Sequence, residues 1–94
     1  MLDLLVIGAG LTGLTAALRA AEAGLQVKVI AKGLGSLHWS AATVDVMGYP
    51  APQPVPAQDP WQGWESLAPE HPYRRLGAAR VKAAIDAFQA WTVE

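Results

Sequence analysis

Asp3-Leu-Leu-Val-Ile-Gly-Ala-Gly-Leu-Thr-Gly13 runs an apolar segment straight into three spaced glycines. Residues 4–7 are continuously apolar rather than alternating, which predicts a buried parallel strand. Leu11, Leu14 and Leu18 then recur at helical spacing, so the glycines fall where a strand turns into a helix. Each glycine has its own task. Gly8 lets the chain turn sharply out of the strand, Gly10 lets the backbone approach a pyrophosphate, and Gly13 lets the helix lie close to the sheet. Ala17 extends that close contact along the same helix face. In the turn formed by Gly8, Ala9 and Gly10, and in the first helical residues Leu11, Thr12 and Gly13, unpaired amides and the helix dipole favour an anion. Phosphate binding here requires no basic side chain.

A second strand is expected over residues 26–31, with Val27 and Val29 on one face and Ile30 behind, and Gly24 is placed to end the helix in a left-handed conformation. These elements make a βαβ unit of about 30 residues, the context a GxGxxG fingerprint requires. The fold class is therefore α/β: an amino-terminal βαβ unit of a Rossmann-like FAD/NAD(P)-binding fold. With 94 residues the chain is short for a doubly wound domain of about 100–150 residues, and we read it as a partial domain of a longer protein. Residues 1–31 are the βαβ core, 32–49 a Gly/Ser ligand loop, 50–60 a Pro-rich loop and 61–94 a helical segment. Alternating prolines at 50, 52, 54 and 56, then Pro60, predict an extended surface loop. Asp59 and Pro60 are positioned to cap and open a short helix through Trp61, Trp64 and Leu67, and a longer helix is expected from about residue 77 to 91. Its apolar stripe is Val81, Ala84, Ile85, Phe88 and Trp91.

A formal net charge of −1 with 16% charged residues argues against a nucleic-acid surface. The lack of cysteine excludes thiolate metal sites and a cysteine nucleophile within the chain. Asp3 stands where a signal peptide needs positive charge, glycines interrupt the apolar core, and no run approaches the ~18 apolar residues of a membrane span. A cytoplasmic setting is expected.

About 20 residues beyond the glycines, such folds present Asp or Glu to the adenosine ribose. Here that place holds Ala31, followed by Lys32. A neutral residue cannot accept two ribose hydroxyl bonds, whereas a lysine can favour an additional phosphate. Three readings stay open: NADP recognition by Lys32, a flavin site that secures its adenosine otherwise or lacks it, and a solvated lysine. The following segment, with Gly35, Ser36, His38 and Ser40, combines small residues and hydroxyls suited to a pyrophosphate or flavin ring. His38 is read first as a loop anchor through a backbone hydrogen bond and second as a group near the flavin. Ser36, His38 and Asp45 share one short loop and lack a nucleophile elbow, which argues against a hydrolase. His71 is expected to order the turn before the last helix. Arg74 and Arg75 are either solvated or phosphate contacts, and the four tryptophans are read as packing residues, with Trp39 alone in a candidate ligand loop.

Gly8-Ala-Gly-Leu-Thr-Gly13 with Ala17 and Gly24, Gly35-Ser-Leu-His-Trp-Ser40, Val44-Asp-Val-Met47 and His71-Pro-Tyr-Arg-Arg-Leu-Gly77 together resemble the amino-terminal part of the family formed by the B subunits of anaerobic glycerol-3-phosphate dehydrogenases. More broadly, the chain resembles the fumarate reductase and succinate dehydrogenase class of FAD-dependent oxidoreductases. The resemblance implies FAD, with FMN as the alternative. It also implies a catalytic flavin subunit and an iron–sulfur, membrane-anchoring subunit as partners, hence attachment at the inner face of the cell membrane through them. The implied reaction oxidises sn-glycerol 3-phosphate to dihydroxyacetone phosphate and passes electrons to quinone. Other readings are an NADP-dependent reductase and a non-catalytic, nucleotide-binding electron-relay subunit. No catalytic residue is assigned.

Overall fold

The computed structural model describes residues 1–49 and 56–93, arranged as two compact units, Met1–Thr43 and Val44–Glu94. In the first, β1 (Leu4–Ile7), α1 (Leu11–Glu22) and β2 (Val27–Ile30) form a βαβ unit whose strands pair in parallel, Leu4 opposite Val27 through Ile7 opposite Ile30. Parallel strands need a crossover, and α1 supplies it. The ladder continues at both ends. The Gly8 amide donates to the Ile30 carbonyl (2.8 Å), and the Gln26 amide donates to the Asp3 carboxylate (2.8 Å) while the Asp3 amide donates to the Gln26 carbonyl (2.9 Å). α1 stops where its sequence dictates. Gly24 takes φ +84°, its amide donates to Ala21, and the Leu25 amide reaches back to Ala20, the paired bonds of a Schellman ending.

One detail differs from the sequence expectation, and the helix contact agrees with it. β1 is covered on one face only: Leu4 and Val6 are half-buried, while Leu5 is 50% and Ile7 79% exposed. Within this unit α1 covers one side of the sheet, and the continuous apolar run leaves a second apolar face on the other. In α1, Ala17 is buried and Gly13 and Ala20 are half-buried, but Leu11, Leu14 and Leu18 are exposed. The helix lies on the sheet through its small residues, because they let the backbone come close, and the leucines flank that contact.

The second unit is built on Met47, Trp64 and Leu67, with Val46, Trp61, Tyr73, Ala78 and Val81 packed around them. Trp64 stacks on Tyr73 (ring centroids 4.8 Å), and its indole N–H donates to the Pro60 carbonyl (2.7 Å). The expected short helix at Pro60 does not form. Asp59 does cap the turn, accepting from the Trp61 amide (2.9 Å), but Gly63 then adopts φ +75° and only a 3₁₀ turn, Trp64–Ser66, follows. The positive φ breaks helical propagation. In place of the turn expected at His71, α2 (Pro72–Leu76) forms, with the His71 Nδ1 accepting from the Tyr73 amide and proline at the first helical position. Gly77, at φ +84°, separates it from α3 (Ala78–Thr92). Val81, Ile85, Phe88 and Trp91 of the expected stripe are half-buried, whereas Ala84 is exposed. Prolines 50, 52 and 54 of the expected loop lie outside the described residues. No helix among the described residues is long and apolar enough to cross a membrane.

Replacing Trp64, 5% exposed at the centre of this cluster, with Ala is expected to cost about 3–5 kcal/mol, and Trp64→Phe much less. Chemical unfolding followed by tryptophan fluorescence measures both.

Candidate cofactor site

The end of β1 and the start of α1 are held together by a missing side chain. A Cβ on Gly13 would lie 2.2 Å from the Gly8 carbonyl oxygen and 3.3 Å from a Val6 methyl, so any other residue would push the helix off the strand. Gly8 itself adopts φ +111°, which an L side chain rarely takes. Both glycines are therefore explained by the protein's own backbone. Gly10 is not. Its φ of −79° and ψ of 178° suit any residue, and among the described residues nothing beyond its chain neighbours lies within 4 Å of where its Cβ would be. Neither strain nor packing calls for glycine there. Open space beside a side-chain-free position at a helix N-terminus fits a pyrophosphate approaching the backbone.

The donors for such a group are in place. The first intrahelical bond of α1 is that of the Leu14 amide to the Gly10 carbonyl (3.0 Å), so the amides of Leu11, Thr12 and Gly13 have no partner among the described residues. No side chain caps this end, and no acidic residue occupies the first turn. The positive end of the helix dipole is left for an external anion. Ala9, half-buried, completes the turn.

The loop after β2 closes onto this turn. A Cβ on Gly35 would lie 2.6 Å from the Ala9 carbonyl oxygen and 2.9 Å from the Gly10 nitrogen, so Gly35 is small because it packs on the turn formed by Gly8, Ala9 and Gly10. A 3₁₀ turn, Ser36–Trp39, follows, and His38 Nδ1 donates to the Gly35 carbonyl (2.7 Å), which is the anchoring role expected of it. The imidazole also meets the Trp39 ring (centroids 5.1 Å). Ala9, Leu14, Leu34, Gly35, Leu37 and His38 line an open cleft of about 290 Å³. Sequence reasoning does not mark the three leucines as a cleft wall. Leu34, an apolar residue between Gly33 and Gly35 and 88% exposed, carries the one readable signal.

The remaining candidates are placed as follows. Ser36 is exposed at the start of the 3₁₀ turn, and the Ser40 hydroxyl accepts from the Ala42 amide (3.3 Å), supporting a turn in which Ala42 takes φ +57°. Ala31 and Lys32 are exposed just past β2, and Lys32 forms no ion pair among the described residues. Trp39 is 82% exposed and so is not a packing residue, unlike buried Trp64 and half-buried Trp61 and Trp91. Arg74 is exposed, and its Nη1 donates to the Glu65 and Leu67 carbonyls, holding the 3₁₀ turn against α2.

A strand, a glycine turn and a helix with free amides define a nucleotide-phosphate-binding α/β unit. The family model described as FAD binding domain matches residues 3–94, and the chain belongs to that family. FAD is its cofactor. The chain is 40% identical over 90 residues to the B subunit of anaerobic glycerol-3-phosphate dehydrogenase from Aliivibrio fischeri strain MJ11, covering 93% of this chain and 20% of that protein. It is 36% identical over 91 residues to the corresponding subunit of Pectobacterium carotovorum, covering 94% and 21%. It is 39% identical over 88 residues to a probable B subunit of the same enzyme from Halobacterium salinarum, again covering 94% and 21%. The chain thus spans about a fifth of the length of these relatives. No solved structure gives a significant match.

Gly10→Ala and Gly13→Ala are expected to separate. The first should change stability by less than about 1 kcal/mol while sharply lowering FAD retention; the second should lower both, because it forces α1 away from β1. Unfolding midpoints and flavin absorbance of the two purified variants provide the comparison.

Proposed function

We propose that this chain supplies the pyrophosphate-binding part of a flavoprotein subunit in a quinone-linked dehydrogenase that oxidises sn-glycerol 3-phosphate to dihydroxyacetone phosphate. The observation that carries the reading is Gly10, whose lack of a side chain has no explanation inside the protein and faces open space beside three free amides. The substrate rests on the relatives, whose name states a glycerol-3-phosphate dehydrogenase and marks them as one subunit of several. The partners we propose are a catalytic flavin subunit and an iron–sulfur subunit that anchors the assembly at the inner face of the membrane.

Bound flavin supplies two-electron redox chemistry. The residues described here bind and orient. Leu11, Thr12 and Gly13 present main-chain donors, Gly8 and Gly13 fix their direction, and Gly35 with His38 seats the second loop over the turn. Ser36 and Ser40 are further proposed contacts to the pyrophosphate or flavin. No group in this segment is assigned to proton transfer at the substrate carbon.

The full chain as the cell makes it, purified with its partners, is expected to release FAD on denaturation and to reduce an artificial acceptor with glycerol 3-phosphate. Absence of any flavin, with no uptake of added FAD, would refute the cofactor reading. Flavin without glycerol 3-phosphate oxidation would refute the substrate alone.

A further inference from the structure

The cleft bordered by the phosphate turn, α1 and the second loop has walls of one kind. Ala9, Leu14, Leu34, Gly35 and Leu37 contribute no polar side-chain atom, and His38 is the one lining residue that does. Its two ring nitrogens are not equivalent. The Gly35 carbonyl can only accept, so Nδ1 carries the proton of that 2.7 Å bond, and the neutral ring must hold its lone pair on Nε2. Cofactor sugars bring hydroxyl donors, and after β2, where a carboxylate would accept them, the chain has Ala31 and Lys32, neither of which has an acceptor side chain.

We propose that Nε2 of His38 accepts a hydrogen bond from a sugar hydroxyl of the bound FAD, filling the part left vacant by the missing carboxylate. The proposal rests on the flavin reading of the glycine turn and deepens it. The Gly35 bond selects the tautomer, and the contact of Gly35 with Ala9 and Gly10 ties the ring's position to the phosphate turn.

The test is FAD affinity of the full chain, followed by flavin fluorescence. His38→Asn, whose amide can still donate to the Gly35 carbonyl but has nothing in place of Nε2, should bind about tenfold more weakly than wild type. Repeating the comparison with FMN locates the hydroxyl: an effect confined to FAD assigns the adenosine ribose, as the proposal requires, and one shared with FMN assigns the ribityl chain and overturns it. Equal affinities for wild type and His38→Asn would overturn it as well. His38→Ala, measured alongside, is expected to lose the same factor, so one variant that fails to fold still leaves a decisive result. Failure of wild type to bind any flavin would instead defeat the reading on which the proposal stands.

Discussion

The van der Waals contact between the Gly8 carbonyl and the space where a Gly13 side chain would stand governs the geometry of the first unit. Because only hydrogen occupies that space, α1 begins directly over the end of β1 instead of a few ångströms away. Three consequences follow from that placement. The unbonded amides of Leu11 to Gly13 emerge at the carboxyl end of the strands, where open α/β sheets receive ligands. The small face of Gly13, Ala17 and Ala20 can seat on the sheet along its whole length. The crossover is then short enough for β2 to pair with β1 residue for residue.

The same device recurs from the opposite side. Gly35 brings the second loop into backbone contact with Ala9 and Gly10, so two segments distant in sequence share one close-packed junction without a side chain between them. Such a junction has few soft degrees of freedom. His38 then fastens the loop from outside by a single bond to the carbonyl of the residue that makes the contact. Position at this site is therefore set by main-chain packing, and the side chains are left to choose what is recognised.

Much of this is legible in the amino acids. The apolar run, the glycine spacing and Gly24 specify β1, the start of α1 and its end, because each rests on a local backbone requirement that the residue type meets directly. His38 as a loop anchor is legible for the same reason. The partners of small residues are not. Gly35 reads in sequence as room for a ligand, and only the fold shows that the room is taken by Gly10. Gly13 and Ala17, by contrast, read in sequence as the close-contact face, and the fold seats that face on the sheet with Leu11, Leu14 and Leu18 exposed beside it. α2 is readable in principle: His71 and Pro72 form a start signal and Gly77 a stop, but the five residues between them are too few for periodicity to register. Arg74 escapes a local reading because a basic residue beside a helix start has carbonyl partners that only the tertiary turn brings within reach.

Main-chain recognition of phosphate has a consequence for identification. Amides at a helix N-terminus grip the pyrophosphate of FAD and of NADP alike, since the group they bind is common to both. The glycine turn can therefore report that a dinucleotide binds, and cannot report which one. Discrimination has to reside in groups that meet the parts that differ, the sugars and rings, and we propose for that part the loop after β2, which begins where Ala31 and Lys32 replace the expected acid. A match running from residue 3 to residue 94, well past the fingerprint, carries information about the cofactor that Gly8, Gly10 and Gly13 alone do not hold. It follows that substitutions in the turn should act on all nucleotides together, while those in the loop should act on the choice among them.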